Sequence, residues 1–214
     1  MNGYVRGLEA VTARRQRARR EAARLVHRGL DVTSFARAVS SSVAHAVPCE
    51  GTCLLTLDPA TLLPTGEVID NGLPAAVMPR MTESNCGSAT STSSPRWPAH
   101  RPAASLSEAT AGDLDRSQRQ RELRRPSGFA DELRVVFSDA TGTWGALTLL
   151  RQTGRPHFAP ADVRFAASLA GAVAGGLRRA ALLAGATASD DGEAGLLVLT
   201  PDETVELANT AAGR

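Results

Sequence analysis

The 214-residue chain is long enough for one domain of ordinary size with residues to spare. Hydrophobic residues make up 43% of it and aromatic residues only 4%, so alanine, valine and leucine have to build most of its core. The formal net charge of +2 is too small to create a general attraction for nucleic acids. All 24 basic residues are arginine, which, with heavy use of alanine, glycine and proline, indicates a GC-rich gene.

Cysteine usage and hydropathy predict a cytoplasmic protein. The three cysteines, Cys49, Cys53 and Cys86, are an odd number, and the sequence shows no signal peptide. No apolar stretch approaches the roughly 20 residues that a membrane span requires. We therefore expect a reducing environment and no membrane partner.

Residues 1–29 predict a basic N-terminal helix, which Gly29 can end. Its arginines are concentrated in one cluster, formed by Arg14, Arg15, Arg17, Arg19 and Arg20. Two interpretations stay open: an arm that binds nucleic acid, or a solvated helix face opposite a thin apolar stripe. The second is favoured, because no aromatic residue or known motif accompanies the arginines.

Residues 31–47 predict a second helix, because apolar residues recur every three or four positions and Asp31 or Thr33 can cap its start. Pro48 ends this helix. The next segment, GTCLLTLDPATLLPTGEVIDN, predicts two strands around a turn at Asp58 and Pro59.

The stretch ELRVVFSDATGTWGALTLLRQ predicts a β-hairpin that turns between Asp139 and Gly142. After it, HFAPADVRFAASLAGAVAGGLRRAALLAGA predicts one long helix with Pro160 in its first turn. Small residues on this helix would allow another helix, from this chain or a second copy, to approach closely. They are Ala167, Gly171, Ala174 and Gly175.

A linker is expected over residues 187–194. Residues 195–214 predict a strand, a turn, a second strand and the first turn of a helix. So short a segment cannot bury a core of its own, so we expect it to be the truncated start of a further unit.

Three stretches carry a resemblance to a known family: GTCLLTLDPATLLPTG, ASLSEATAGDLDRS and TWGALTLLRQTGRPHFAPADVRFAASLAGAVAGGLRRAA. With them, roughly residues 31–186 resemble the GAF-type sensory domain. More narrowly, they resemble the N-terminal region of actinobacterial LuxR-type helix-turn-helix transcriptional regulators. The tail, GLLVLTPDETVELANTAA, is similar to the start of a PAS domain.

The resemblance implies an α+β fold, an α/β sandwich in which N- and C-terminal helices flank an antiparallel sheet. It implies a pocket for a small-molecule ligand on the far face of that sheet, and a homodimer formed through the flanking helices. It also implies that DNA is bound only through a C-terminal domain that these residues do not include.

Few residues carry candidate chemistry. His45 on the second helix and Trp144 in the hairpin are weak pocket candidates, each with a surface or packing role as its alternative. Cys49 and Cys53 lack two further ligands for a structural zinc site. Some GAF proteins reduce methionine sulfoxide with cysteines, but no familiar sequence surrounds Cys86. We predict no catalytic residue, no metal and no cofactor.

Residues 84–102, SNCGSATSTSSPRWPAHRP, are anomalous, since Arg96 is the only charged residue between positions 84 and 99. The resemblance implies an amphipathic helix here, where a sensor would close over its ligand. One hypothesis is a disordered polar loop. The other is a local frame shift in the gene. One possible nucleotide sequence for this run, when read in a frame shifted by two bases, encodes the amphipathic segment ELRKCDVNKFTALAR. The gene's nucleotides decide, because G- or C-ending codons throughout residues 84–99 exclude the shift.

Three functions stay open, in decreasing order of preference. The first is a ligand-sensing domain of a cytoplasmic transcriptional regulator. The second is a dimerisation or interaction module that binds no ligand. The third is a GAF enzyme that uses thiol chemistry.

Overall fold

A computed structural model describes residues 2–73, 101–188, 197–199 and 205–208. It begins with two helices, α1 (Asn2–Leu25) and α2 (Val32–Ala46). The carboxylate of Asp31 caps α2 by accepting the backbone N–H of Ser34 at 2.9 Å. Gly29, at a φ of +62°, makes the turn between them. Both predicted helices are confirmed, and α1 ends at Leu25, before Gly29.

One five-stranded antiparallel sheet forms the centre of the fold. Its strands are β1 (Gly51–Leu57), β2 (Pro64–Asp70), β3 (Ala103–Ser105), β4 (Phe129–Asp139) and β5 (Gly142–Gln152). Their order across the sheet is β2-β1-β5-β4-β3. Strand β5 lies at the centre of the sheet, and the predicted α+β class with an antiparallel sheet is confirmed.

Turn chemistry predicted from the sequence closes both hairpins of this sheet. Between β1 and β2, Asp58 Oδ1 accepts the backbone N–H groups of Ala60 and Thr61 at 3.1 and 2.8 Å. Between β4 and β5, Asp139 Oδ1 accepts the N–H of Thr141 at 2.8 Å. These carboxylates act as local substitutes for backbone acceptors, so each chain reversal is specified by its own residues.

The connection from β3 to β4 consists of short helical pieces. They are α3 (Leu106–Ala109), a 3₁₀ turn (Leu114–Arg116) and a π-helical turn (Gln120–Arg124). Ser105 Oγ caps α3 by accepting the N–H of Glu108 at 3.2 Å. The π-helical turn lies against β4.

The long C-terminal helix predicted from the sequence is interrupted. It consists of α4 (Pro160–Ala167) and α5 (Ala170–Ala188). The break falls at Ser168, whose hydroxyl donates to the carbonyl of Phe165 at 2.7 Å while its N–H also contacts that carbonyl at 3.1 Å. A serine hydroxyl can compete with backbone N–H groups for a helix carbonyl and so disturb the helix at that point. Hydrophobic periodicity does not reveal such a break.

The helices α2 and α5 cover one face of the sheet, called the near face below; the opposite face is called the far face. Side chains of the near face are almost fully buried: Leu54, Leu133, Val135, Phe137, Leu147 and Leu149. They pack against Phe35 and Val39 of α2 and Val173 and Leu177 of α5. The main core therefore lies between the sheet and these helices.

A second, two-stranded antiparallel sheet pairs β6 (Leu197–Leu199) with β7 (Val205–Ala208).

Residues 84–100 of the anomalous run lie outside the described residues, so the loop and frame-shift hypotheses stay predictions. In the part of the chain that the structure describes, no helix combines the length and apolar character of a membrane span.

Helix α5 approaches α2 closely at Gly176. A Cβ atom added there would lie 2.1 Å from Cζ of Phe35, inside the van der Waals contact distance. Phe35 is 1% exposed, so its ring has no room to move away. A glycine is therefore required at this crossing, whereas an added Cβ at Gly171 would meet no atom within 4 Å.

We predict that Gly176→Ala lowers the free energy of unfolding by about 1–3 kcal/mol, because overpacking displaces Phe35. Gly171→Ala, on the same helix, should leave it unchanged or raise it by about 0.5–1 kcal/mol through helix propensity. Urea unfolding followed by circular dichroism measures both. Equal effects of the two substitutions would contradict the close contact.

Candidate functional site

The far face of β4 carries charged side chains where the near face carries apolar ones. Glu132, Arg134 and Val136 alternate with the near-face residues of this strand. Glu132 is 7% exposed, and its carboxylate contacts the guanidinium of Arg134 with an N–O distance of 3.2 Å. Charged side chains are seldom buried unless they form an ion pair or take part in function. We therefore treat this face as the candidate site.

Strand register extends this face across three strands. Thr148 of β5 lies between Arg134 and Cys53, and Ala146 lies between Val136 and Leu55. Directly opposed residues of antiparallel strands project from the same face. One row of the far face is therefore polar, and the next row is apolar.

The π-helical turn brings further arginines to this face. Arg124 is 2% exposed and forms an ion pair with Glu132. Arg119, which directly precedes the turn, is also buried. The amide Nε2 of Gln120 donates to the carbonyls of Phe129 and Ala130 at 2.8 and 3.2 Å, and so fixes the turn against the start of β4.

Burial and mutual repulsion act on these guanidinium groups. Burial lowers the pKa of Arg119 to about 10. Burial, and secondly the positive charge of Arg119, lower the pKa of Arg124. Both groups still carry their charge at neutral pH. The site therefore holds Arg124 and Arg134 against the carboxylate of Glu132, with Arg119 close enough to Arg124 to repel its charge.

The two pocket candidates taken from the sequence do not lie on the far face. His45 is exposed on α2, where its Nδ1 donates to the carbonyl of Ser41 at 2.7 Å. Trp144 packs against the near-face core, and its Nε1 donates to Thr141 Oγ1 at 3.1 Å. A β-bulge explains the position of Trp144: Ser138 pairs with Thr143 and Phe137 with Gly145, so Trp144 is the extra residue.

The described cysteines are poor nucleophiles. Cys49 and Cys53 are free thiols and only partly exposed. Burial raises the pKa of each to about 11, with Glu50 adding to the effect at Cys49 and Glu67 at Cys53. Only the thiolate reacts, and almost none forms at neutral pH. Cys86 lies outside the described residues.

Within residues 2–73 and 101–188 and the two short tail strands, no cluster of three histidine, cysteine, aspartate or glutamate side chains has the geometry to hold a metal ion. The far-face site contains cationic, carboxylate, amide, hydroxyl, thiol and apolar groups. Such groups can bind and orient an organic molecule by hydrogen bonds, charge and apolar contact.

Part of the N-terminal basic cluster has a structural role. Arg15 forms an ion pair with Asp162 of α4, and Arg19 donates to Ser168 Oγ at 3.1 Å. Both guanidinium groups also stack on Phe165, at 5.5 and 5.3 Å from the ring centroid. These two arginines attach α1 to α4. Arg14, Arg17 and Arg20 are exposed, in keeping with the solvated face favoured from the sequence.

Sequence reasoning missed the far-face arginines. Their segment, RQRELRR, fits the general arginine usage of the chain and so did not attract attention. One signal was available: Glu132 and Arg134 stand two residues apart in an otherwise apolar strand, which indicates one polar face. The burial of Arg119 and Arg124 depends on how their turn packs, which no local pattern specifies.

Comparison with known proteins gives a fold and no closer relationship. No family model matches the chain, and no curated protein matches it. Among solved structures, the GAF domain of a protein described as a sensor histidine kinase from Pseudomonas syringae pv. tomato is similar, with a TM-score of 0.55 and 16% identity. The match covers 88% of this chain and 99% of that one.

Two further solved structures are also similar. A cyanobacteriochrome GAF domain matches with a TM-score of 0.50 and 13% identity, over 74% of this chain and 95% of that one. A bacteriophytochrome from R. palustris matches with the same TM-score and identity, over 80% of this chain and 37% of that one. At such identities the likeness concerns the fold alone. The chain therefore has the GAF fold expected from the resemblance.

We predict that Cys49 and Cys53 react slowly with iodoacetamide at neutral pH, in a Cys86→Ser variant that leaves only these thiols. The rate should rise with pH and not level off below about pH 10, because burial raises the pKa of both to about 11. Mass spectrometry between pH 6 and 10 follows the reaction. The urea-unfolded variant is the control, with thiols near a pKa of about 8.5; a plateau below pH 8 in the folded protein would refute the prediction.

Proposed function

We propose that this chain is a sensory domain that binds a small molecule on the far face of its sheet and catalyses no reaction. The observation that carries the proposal is the burial of Glu132 and Arg124 on that face. A surface that only packed against other protein elements would be more stable with apolar residues, since a buried ion pair adds little stability. Buried charges beside an apolar row are typical of a ligand site.

The proposed context is a cytoplasmic transcriptional regulator of the LuxR type. Support comes from the sequence resemblance of residues 31–186. The tail resembles the start of a PAS domain in sequence, and its strands β6 and β7 pair in an antiparallel sheet. In this proposal DNA is contacted through a separate helix-turn-helix domain. The sensory domain supplies the signal.

The proposed quaternary state is a homodimer formed through the flanking helices. Gly171 and Ala172 of α5 are exposed, and an added Cβ at Gly171 or Gly175 would meet no atom within 4 Å. Small exposed residues allow a helix of a second copy to approach closely. The alternative function, a dimerisation module without a ligand, uses the same surface and leaves the far face unused.

The thiol-enzyme alternative receives no support from Cys49 and Cys53. Their raised pKa values favour the unreactive thiol form, because burial outweighs the lowering of the pKa by Arg151 at Cys49 and by Arg124 at Cys53. Binding therefore accounts for the site better than covalent catalysis does.

We predict that a set of chemically related metabolites raises the thermal unfolding midpoint of the protein. A ligand at about 100 times its Kd contributes about 2.7 kcal/mol, or roughly 5–10 °C for a chain of this size. Differential scanning fluorimetry against a metabolite collection measures the shift. Ala146→Phe should abolish it by filling the far face, whereas Ala60→Phe, in the exposed turn after β1, should not. A collection without any stabilising compound favours the dimerisation module.

We predict that the wild-type protein has twice the monomer mass in size-exclusion chromatography with light scattering. Gly171→Arg should give a monomer, because the new side chain stands between the paired helices. Ala60→Arg adds the same charge and volume in an exposed turn and should leave the dimer intact. A monomeric wild-type protein at all concentrations would exclude this interface.

A further inference from the structure

We propose that α1 binds the phosphate backbone of double-stranded DNA through Arg14, Arg17 and Arg20, called the basic face below. Such a contact does not depend on the base sequence. The inference goes beyond the proposed function, in which a separate domain contacts DNA, and it does not depend on a ligand of the far face.

The structure divides the arginines of α1 into two groups. Arg15 and Arg19 face α4, to which an ion pair and a hydrogen bond attach them. Arg14, Arg17 and Arg20 are exposed, and none of the three has an ion pair or hydrogen bond to another described residue. The second group is therefore available to a partner, because the fold does not use it.

The three arginines of the basic face form a row along the helix. Residues three positions apart on an α-helix lie about 60° apart around its axis and about 4.5 Å apart along it. Ala18, Ala22 and Leu25 of the same helix are buried and so turn towards the core. The basic face is therefore a row about 9 Å long on the solvent side of α1.

Little negative charge offsets this row. Between residues 10 and 24 the sequence has six arginines, and Glu21 is its one acidic residue. The carboxylate of Glu21 lies 3.9 Å from the guanidinium of Arg24, a long contact between exposed groups that contributes little. Duplex DNA carries one negative charge for about every 1.7 Å of its axis, so it can place phosphates against all three arginines of the basic face.

The neighbouring exposed residues distinguish between kinds of polyanion. Those between residues 12 and 24 are small or polar: Thr12, Ala13, Gln16 and Ala23. A helix that binds a membrane surface carries large apolar residues that enter the lipid, and a site for single-stranded nucleic acid carries aromatic residues on which bases stack. Contact with a duplex backbone requires neither, so the lack of aromatic residues does not weaken it.

The shape of the basic face favours DNA over duplex RNA. The major groove of B-DNA is about 12 Å wide and admits an α-helix, whereas the corresponding groove of duplex RNA is too narrow. An arginine row along a helix can therefore follow the edge of a DNA groove.

The helix holds its basic face in a fixed orientation. The guanidinium groups of Arg15 and Arg19 stack on the buried Phe165, at 5.5 and 5.3 Å from its ring centroid. The backbone that carries the basic face is thus already ordered before a partner binds. Binding then costs only the entropy of the arginine side chains.

The experiment measures how binding depends on salt. Fluorescence anisotropy of a labelled DNA duplex of about 20 base pairs follows its binding to the 214-residue chain between about 20 and 200 mM sodium chloride. Three neutralised phosphates predict a slope of about −2.7 for the logarithm of the association constant against the logarithm of salt concentration. A second duplex of unrelated sequence should bind within about twofold of the first, because backbone contacts carry no sequence information.

Substitutions assign the binding to the basic face. Arg17→Gln should make the slope less steep by about 0.9 and weaken binding about five- to tenfold at about 50 mM salt. The triple variant Arg14→Gln, Arg17→Gln, Arg20→Gln should lose the salt-dependent binding. Arg116→Gln removes the same charge from an exposed position between β3 and β4, and should change affinity less than about twofold. Circular dichroism verifies that each variant is folded, and glutamine is a good helix former.

Three results would overturn the inference. Equal effects of Arg17→Gln and Arg116→Gln would attribute binding to net charge. Tighter binding to a single strand, an RNA duplex or vesicles of phosphatidylcholine and phosphatidylserine would assign the basic face to another partner. Absence of binding to DNA at low salt would leave these arginines with solvation alone. The thermal screen of the far face tests the sensory function separately, so failure of one proposal is distinguishable from failure of the other.

Discussion

The alternation of side chains along β4 is the constraint on which the rest of the molecule depends. Leu133, Val135 and Phe137 point to one face and need the cover of α2 and α5, while Glu132 and Arg134 point to the other. A one-residue slip in register would place both charges in the main core and expose its apolar residues. Helices on the near face, and charge on the far face, therefore follow from a single strand and its pairing with β5.

The two faces of the sheet make different kinds of interaction. Near-face packing is dense enough that Gly176 has no space for a methyl group beside Phe35, and such packing sets the distance between helix and sheet. Far-face interactions are polar, and the Nε–H of Arg124 has no hydrogen-bond partner among the described residues. The first face stabilises the fold. The second has the unused bonding capacity that a ligand requires.

Charged contacts also attach the N-terminal helix to the remainder of the fold. Asp162 receives Arg15 from α1 and Arg151 from β5, the latter at 3.4 Å, and so links a flanking helix to the central strand. Arg151 further donates to the carbonyls of Pro48 and His157 at 3.1 and 2.8 Å, and its guanidinium stacks 4.2 Å from the Phe158 ring centroid. Part of the N-terminal arginine cluster is thus explained by packing within the chain.

Local signals in the sequence determined the helices α1 and α2, both hairpin turns and the apolar face of β4, because caps, turn carboxylates and periodicity act between residues close in the chain. Motif stretches, through a resemblance, also indicated the GAF fold. Only the tertiary structure decided where Trp144 points, since a β-bulge interrupts the alternation of side chains along β5. It also decided where the long C-terminal helix breaks. It alone brought Arg119 and Arg124 to Glu132 and Arg134, because their burial depends on how a distant turn packs against the sheet.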